Sequence, residues 1–184
     1  MQTREAYEVQ AKALGWPDLR ALWKQIQVRD TPAWAPGKAF EYLVLRAFDL
    51  HGADVQWPYP VSLYGQDEII EEIDGSVRVG GLYSLIESKD EDGDIAIAPI
   101  AKLRNQLLRR QAGTFGMVFS SRGFTEPAKQ LAQFALPQAI LLWTGTQVEF
   151  ALNNERICDL CERKYRACVD HGMVDFDISL GVVP

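Results

Sequence analysis

Two acidic residues and a lysine carry the clearest chemical signal in this sequence. Asp74 stands in Ile73-Asp74-Gly75, and Glu87 and Lys89 stand in Ile86-Glu87-Ser88-Lys89, with twelve residues between Asp74 and Glu87. In an extended strand Glu87 and Lys89 project from one face, while Ile86 and Ser88 point to the other. A hairpin joining a strand that ends at Asp74 to a second strand starting at Leu82 brings Asp74 beside Glu87. Two carboxylates converging at a sheet edge form a hard-oxygen site suited to Mg²⁺ or Mn²⁺. A lysine on the same face can orient or deprotonate a bound water, or neutralise charge growing on a phosphate. Glu41, on the helix ahead, supplies a third carboxylate. The plainer alternative is an exposed strand whose acid and base pair across the surface. Against it, the apolar run from Leu82 to Ile86 meets these charges at the end that leads into an acidic loop.

Other familiar chemistries are missing from the sequence. It contains no G-x-G-x-x-G and no G-x-x-x-x-G-K-[ST], so neither phosphate-cradling loop is present. His51 and His171 are the only histidines, too few for a histidine-based triad. The loop Asp90-Glu91-Asp92-Gly93-Asp94 resembles a calcium loop only at its start. Its sixth position is Ile95 instead of glycine and its twelfth is Ala101 instead of glutamate. Cys158, Cys161, Cys168 and His171 spell C-x2-C-x6-C-x2-H, a gap shorter than zinc fingers use. Ile157, Cys161, Tyr165 and Cys168 also fall on one helical stripe, so the cysteines are read as packing residues.

The elements that must position the acidic pair follow from periodicity. Residues 5–14 and 18–28 read as short helices, followed by the proline-containing linker 30–36 and a strong helix from Gly37 to His51. The period then changes to two, with strands at 54–57, 59–64, 68–74 and 82–89 separated by Pro58, Gly65 and Gly80-Gly81. Helix 97–111, strand 114–120, helix 125–135 and strand 139–144 follow. Val148–Leu152 reads as a short strand, and 154–171 as the last helix, stopped by Gly172. An antiparallel meander crossing over to parallel strands gives an α/β three-layer sandwich with a mixed central sheet.

Composition sets the outer bounds. At 184 residues with 47% hydrophobic and 24% charged residues, the chain is expected to be one globular domain with a small appendage. The longest unbroken apolar run, Ala139 to Trp143, is far short of a membrane span, and the N-terminus has no apolar leader, so a cytoplasmic protein is expected. The net charge of −6 hides an asymmetry. Ten acids against Arg78 and Lys89 fill 67–94, whereas six basic residues against Glu126 fill 102–129. A metal site beside a polyanion track would be charged in this way.

Taken together, Ile73-Asp74-Gly75 and Ile86-Glu87-Ser88-Lys89 resemble the catalytic signature of the PD-(D/E)XK nucleases. The segment Pro36-Gly37-Lys38-Ala39-Phe40-Glu41 is similar to that superfamily's first core helix, whose glutamate lies at the metal site. Ser121-Arg122-Gly123-Phe124-Thr125, with Ala128 and Ala132, resembles the strand-to-helix segment of the Mrr-like restriction endonuclease branch. Two positions depart from the pattern: Ile73 precedes Asp74 where proline is common, and Ser88 replaces the glutamine that many Mrr-like members carry near this lysine.

The resemblance implies a restriction endonuclease-like core of order α-β-β-β-α-β-α-β over residues 36–152. Residues 1–35 would be a helical N-terminal extension, and 153–184 a C-terminal helix and tail packed on the core. It implies a Mg²⁺- or Mn²⁺-dependent deoxyribonuclease, endonuclease rather than exonuclease, in a restriction-like or defence-related role. A homodimer is an allowed assembly. Asp74 and Glu87 would hold the metal with a carbonyl near Ser88, Lys89 would position the water, and Glu41 would support the metal directly or through water. Helix 97–111 carries Lys102, Arg104, Arg109 and Arg110. With Arg122 and Lys129, these arginines are the candidate contacts to the DNA backbone, setting position and salt dependence more than sequence choice. A solvated helix face explains the basic residues of 97–111 equally well. A catalytically silent nuclease fold serving DNA binding or assembly, and an enzyme acting on RNA, stay open at this point.

Overall fold

The change of period after His51 marks where helix gives way to sheet. A computed structural model describes residues 2–62 and 67–180, so the end of the expected strand 59–64 and the Gly65 turn lie outside the described residues. Three helices come first: α1 (Arg4–Lys12), α2 (Trp16–Gln27) and α3 (Lys38–Leu50). Five strands follow: β1 (Asp54–Gln56), β2 (Tyr59–Ser62), β3 (Ile69–Ile73), β4 (Gly75–Val79) and β5 (Leu82–Lys89). Then helix and strand alternate through α4 (Ala98–Leu107), β6 (Phe115–Ser120), α5 (Glu126–Phe134) and β7 (Ile140–Trp143). The helices α6 (Gly145–Asn154) and α7 (Ile157–His171) close the described chain.

The main sheet has the order β1-β4-β5-β6-β7, while β2 and β3 form a separate two-stranded ladder. β4 is antiparallel to β1 and β5, and β6 runs parallel to both β5 and β7. Every residue of β6 and β7 is buried, as parallel strands covered on both faces require. Alternation along β6 shows what covers each face. On one side Gly116 meets α4 so closely that an added Cβ would lie 2.7 Å from Leu103 Cδ2. On the other, Met117 Sδ lies 3.6 Å from Cys161 Sγ of α7, and Phe119 meets Phe48 of α3 edge-on. The result is a three-layer α/β/α sandwich around a mixed sheet.

The helix expected over 97–111 stops at Leu107, which leaves Arg109 and Arg110 just beyond α4, and three further elements differ from the sequence reading. Gly75–Val79 is a strand in its own right, so the chain turns into the main sheet at Asp74-Gly75 and the hairpin to β5 is only the Gly80-Gly81 turn. Gly75 is required there, because a Cβ would press within 2.6 Å of Leu45 Cδ2 on α3. Val148–Leu152 is helical: Val148, Ala151 and Leu152 form a buried i, i+3, i+4 stripe, and Thr144 caps the helix by accepting from the Gln147 amide. The final helix begins at Ile157 instead of Asn154, since Glu155 takes a left-handed conformation between the two helices.

The three cysteines are all buried thiols of α7. Burial pushes the Cys158 thiol up to about 12 and raises Cys161 and Cys168 as well, so none is primed as a thiolate. Cys161→Ala should cost roughly 1–2 kcal/mol through the lost packing against Met117. Denaturant unfolding of the variant measures it; no loss of stability would contradict core packing at this position. No helix among the described residues is long and apolar enough to cross a membrane.

Candidate active site

Register alone brings the two carboxylates together. Gly75 pairs with Ile86 at the end of the β4–β5 ladder, so one step further Asp74 stands opposite Glu87. Even-numbered β4 positions and odd-numbered β5 positions share the sheet face that α4 covers. On that face Glu87 is completely buried, a placement a carboxylate takes only with charged partners. Lys89 Nζ lies 2.6 Å from Glu87 Oε1, and Lys102 Nζ, reaching down from α4, lies 2.6 Å from Oε2. Lys102 also stands 4.0 Å from Asp74 Oδ1. Asp74 Oδ2 accepts from the Ser88 backbone N–H at 2.9 Å, which fixes the aspartate against β5. Glu87 Oε1 is buried against the Lys89 ammonium, an ion pair rather than an aligned hydrogen bond. A buried carboxylate pair compensated by ammonium groups has the donor chemistry of a divalent-cation site.

Glu41 enters from the first turn of α3 and is also buried. Its two oxygens accept from Lys38 Nζ at 2.9 and 2.6 Å. Burial, reinforced by the negative charge of Asp74, pushes its carboxyl up to about 7 against the pull of Lys38 and Lys89. The folded protein therefore binds a proton at Glu41 that the unfolded chain has already lost between about pH 4.5 and 7, so stability falls as pH rises through that window. Glu41→Gln should remove this slope and, in EDTA at pH 8, raise stability by on the order of 2 kcal/mol. Melting curves at pH 5 and pH 8 check the sign; a variant that is less stable at pH 8 would contradict it.

Lys89 has the opposite balance. Desolvation pulls its pKa down, but the charges of Glu87, Asp74 and Glu41 outweigh that and leave it raised. It therefore stays an ammonium at neutral pH, suited to holding water or phosphate and not to removing a proton. Among the described residues no three of His, Cys, Asp and Glu group as a ready metal-ligand set. Asp74 and Glu87 converge as a pair, while Glu41 is held by Lys38. Two carboxylates still fit Mg²⁺, which commonly keeps several waters and takes one or two carboxylates plus phosphate oxygens.

A family model described as restriction endonuclease, of the Mrr catalytic type, matches residues 34–150, more than half of the chain. The chain belongs to the Mrr-like restriction endonucleases. No curated protein matches the sequence. Among solved structures, it is similar to the MspJI restriction endonuclease in complex with a 27-mer oligonucleotide, at 19% identity and a TM-score of 0.43. That match covers 85% of this chain but 34% of the other, so the chain spans about a third of the MspJI length. It is likewise similar to AF1548, a protein of unknown function, at 18% identity and a TM-score of 0.43, covering 73% and 77% of the two chains.

Most of the basic residues singled out as backbone contacts have structural partners in this family member. Arg109 and Arg110 both pair with the buried Glu71 of β3 and tie the end of α4 to the small ladder. Arg122 donates to the Gln27 side chain at 2.8 Å and to the Gln27 carbonyl at 3.0 Å, anchoring α2 over the β6–α5 loop. Lys129 pairs with Glu126 one turn earlier in α5. Arg104 is exposed on α4 and makes no ion pair among the described residues. Lys102, expected on a basic helix face, is among the described residues the basic side chain of α4 that reaches the acidic pair. The only sequence signal was its place on the crossover helix directly after β5.

Proposed function

We propose that this Mrr-like chain is a Mg²⁺- or Mn²⁺-dependent endonuclease that hydrolyses DNA phosphodiester bonds. The observation that carries the reading is the fully buried Glu87, set opposite Asp74 at the sheet edge with Lys89 and Lys102 against its two oxygens. Asp74 and Glu87 would hold the cation, which when bound supplies Lewis-acid stabilisation of phosphoryl charge and a more acidic water. Hydrolysis forms a bond from water oxygen to phosphorus and breaks the bond to the leaving oxygen, which takes up a proton. Lys89, kept cationic by its acidic neighbours, positions that water and offsets charge building on the phosphoryl oxygens. Glu41, clamped by Lys38 in the first turn of α3 beside Asp74, would support the cation directly or through water. Arg104 is the basic residue of α4 best placed to meet a DNA backbone.

Substrate class is tested with labelled double-stranded DNA, single-stranded DNA and RNA of one sequence, each incubated with protein and Mg²⁺. Internal cleavage of double-stranded DNA is expected. Cleavage of RNA with DNA left intact would overturn the assignment of substrate, and products released only from the ends would overturn endonuclease action.

A further inference from the structure

The ammonium of Lys102 reaches both members of the acidic pair that would hold a cation. It is 2.6 Å from Glu87 Oε2 and 4.0 Å from Asp74 Oδ1, whereas Lys89 contacts Glu87 through the other oxygen. The two lysines differ in how they are held. Lys89 sits two residues from Glu87 on the same strand, so the backbone fixes it beside its partner. Lys102 comes from a separate element, α4, on a long flexible stem, with its side chain 42% exposed to solvent. It can leave without disturbing the sheet. With both lysines in place, two negative charges face two positive ones, and the pair is neutral without any metal. A divalent cation added to that arrangement would meet like charge at close range, with both Glu87 oxygens already engaged.

We propose that Lys102 is a built-in counter-ion that competes with the divalent cation for Asp74 and Glu87, so that cation binding requires its ammonium to leave. The inference rests on the metal-binding reading of this pair and deepens it. Without cation, Lys102 keeps the buried acids from repelling one another and holds the site in shape. With cation, the free side chain is released toward solvent on the face that α4 presents. Lys102 therefore raises the cation concentration at which the site fills, because the binding-competent form is only a fraction of the unliganded population.

The test is calorimetric titration of Mn²⁺ into the whole protein, with Lys102→Met, Lys102→Gln, Lys102→Arg and Glu87→Gln beside the parent. Lys102→Met and Lys102→Gln should bind Mn²⁺ roughly tenfold more tightly than the parent, since the competing charge is gone. Lys102→Arg should stay near the parent, and Glu87→Gln should lose binding. In EDTA the two neutral variants should melt in one cooperative transition below the parent, because the acids have lost their counter-ion. Equal or weaker Mn²⁺ binding by both neutral variants, with the parent binding and Glu87→Gln not, overturns the competition and leaves the metal site standing. No Mn²⁺ binding by the parent or by any Lys102 variant overturns the metal site and this inference with it.

Discussion

Glu87→Gln is expected to abolish DNA cleavage while leaving a folded protein. The substitution keeps the side chain's shape and removes the charge that makes it a hard-oxygen ligand. Glu87 is wholly buried, and two ammonium groups crowd it, so the neutral amide leaves both lysines without their main partner. Some stability is lost for that reason, since an unpaired buried charge is costly. Lys102 is partly exposed and can turn to solvent, which limits the loss. Asp74→Asn should abolish cleavage equally. Its structural cost is smaller, because the amide oxygen can still accept from the Ser88 N–H. Circular dichroism and gel filtration establish the fold, and a cleavage time course reads the activity. Parental cleavage by either variant would remove the acidic pair from the mechanism.

Lys89→Ala should cut the cleavage rate by roughly 10²-fold or more, in line with the loss of one preorganised electrostatic donor. Charge on the phosphoryl oxygens is greater in the transition state than in the ground state, so an ammonium placed there acts mainly at the barrier. Because its acidic neighbours hold Lys89 in the charged form, the loss should be flat with pH near neutrality and not show the ionisation of a general base. Binding of DNA measured in Ca²⁺, where cleavage should be slow, should weaken far less. Arg104→Ala should do the reverse, weakening binding and flattening the salt dependence with little change in the bound-state rate. A Lys89→Ala defect confined to binding would make the residue a phosphate anchor.

What was legible in the sequence was local. The Asp74, Glu87 and Lys89 spacing brings these side chains together on one sheet face, and the period change after His51 and the buried strands expected at 114–120 and 139–144 match the elements observed. The strand Gly75–Val79 was missed because Gly75 and Gly80-Gly81 look like punctuation, and Ser76 and Arg78 break an apolar run. In the fold those two polar residues lie on the part of the sheet that α4 leaves open, so a clean alternation was present across five residues. Residues 148–152 were misread because a short apolar segment fits either period, and the Thr144 cap that decides it lies upstream. The basic residues were the least legible. Arg109, Arg110 and Arg122 find Glu71 and Gln27 across 38, 39 and 95 positions of chain, and no local pattern announces such pairs. The same holds for the buried Lys164 of α7. Its ammonium bonds to Gln147 Oε1 and the Phe176 carbonyl, pinning the C-terminal segment to the core.

We propose above that Asp74 and Glu87 hold a divalent cation with which the protein cuts DNA. Supercoiled plasmid incubated with purified parent protein in Mg²⁺, in Mn²⁺ and in excess EDTA tests it most directly, with Glu87→Gln run beside each. Nicked and linear products in Mg²⁺ or Mn²⁺, none in EDTA and none from Glu87→Gln are the expected result. Plasmid left intact in both cations, or cut as fast in EDTA as in Mg²⁺, would contradict it.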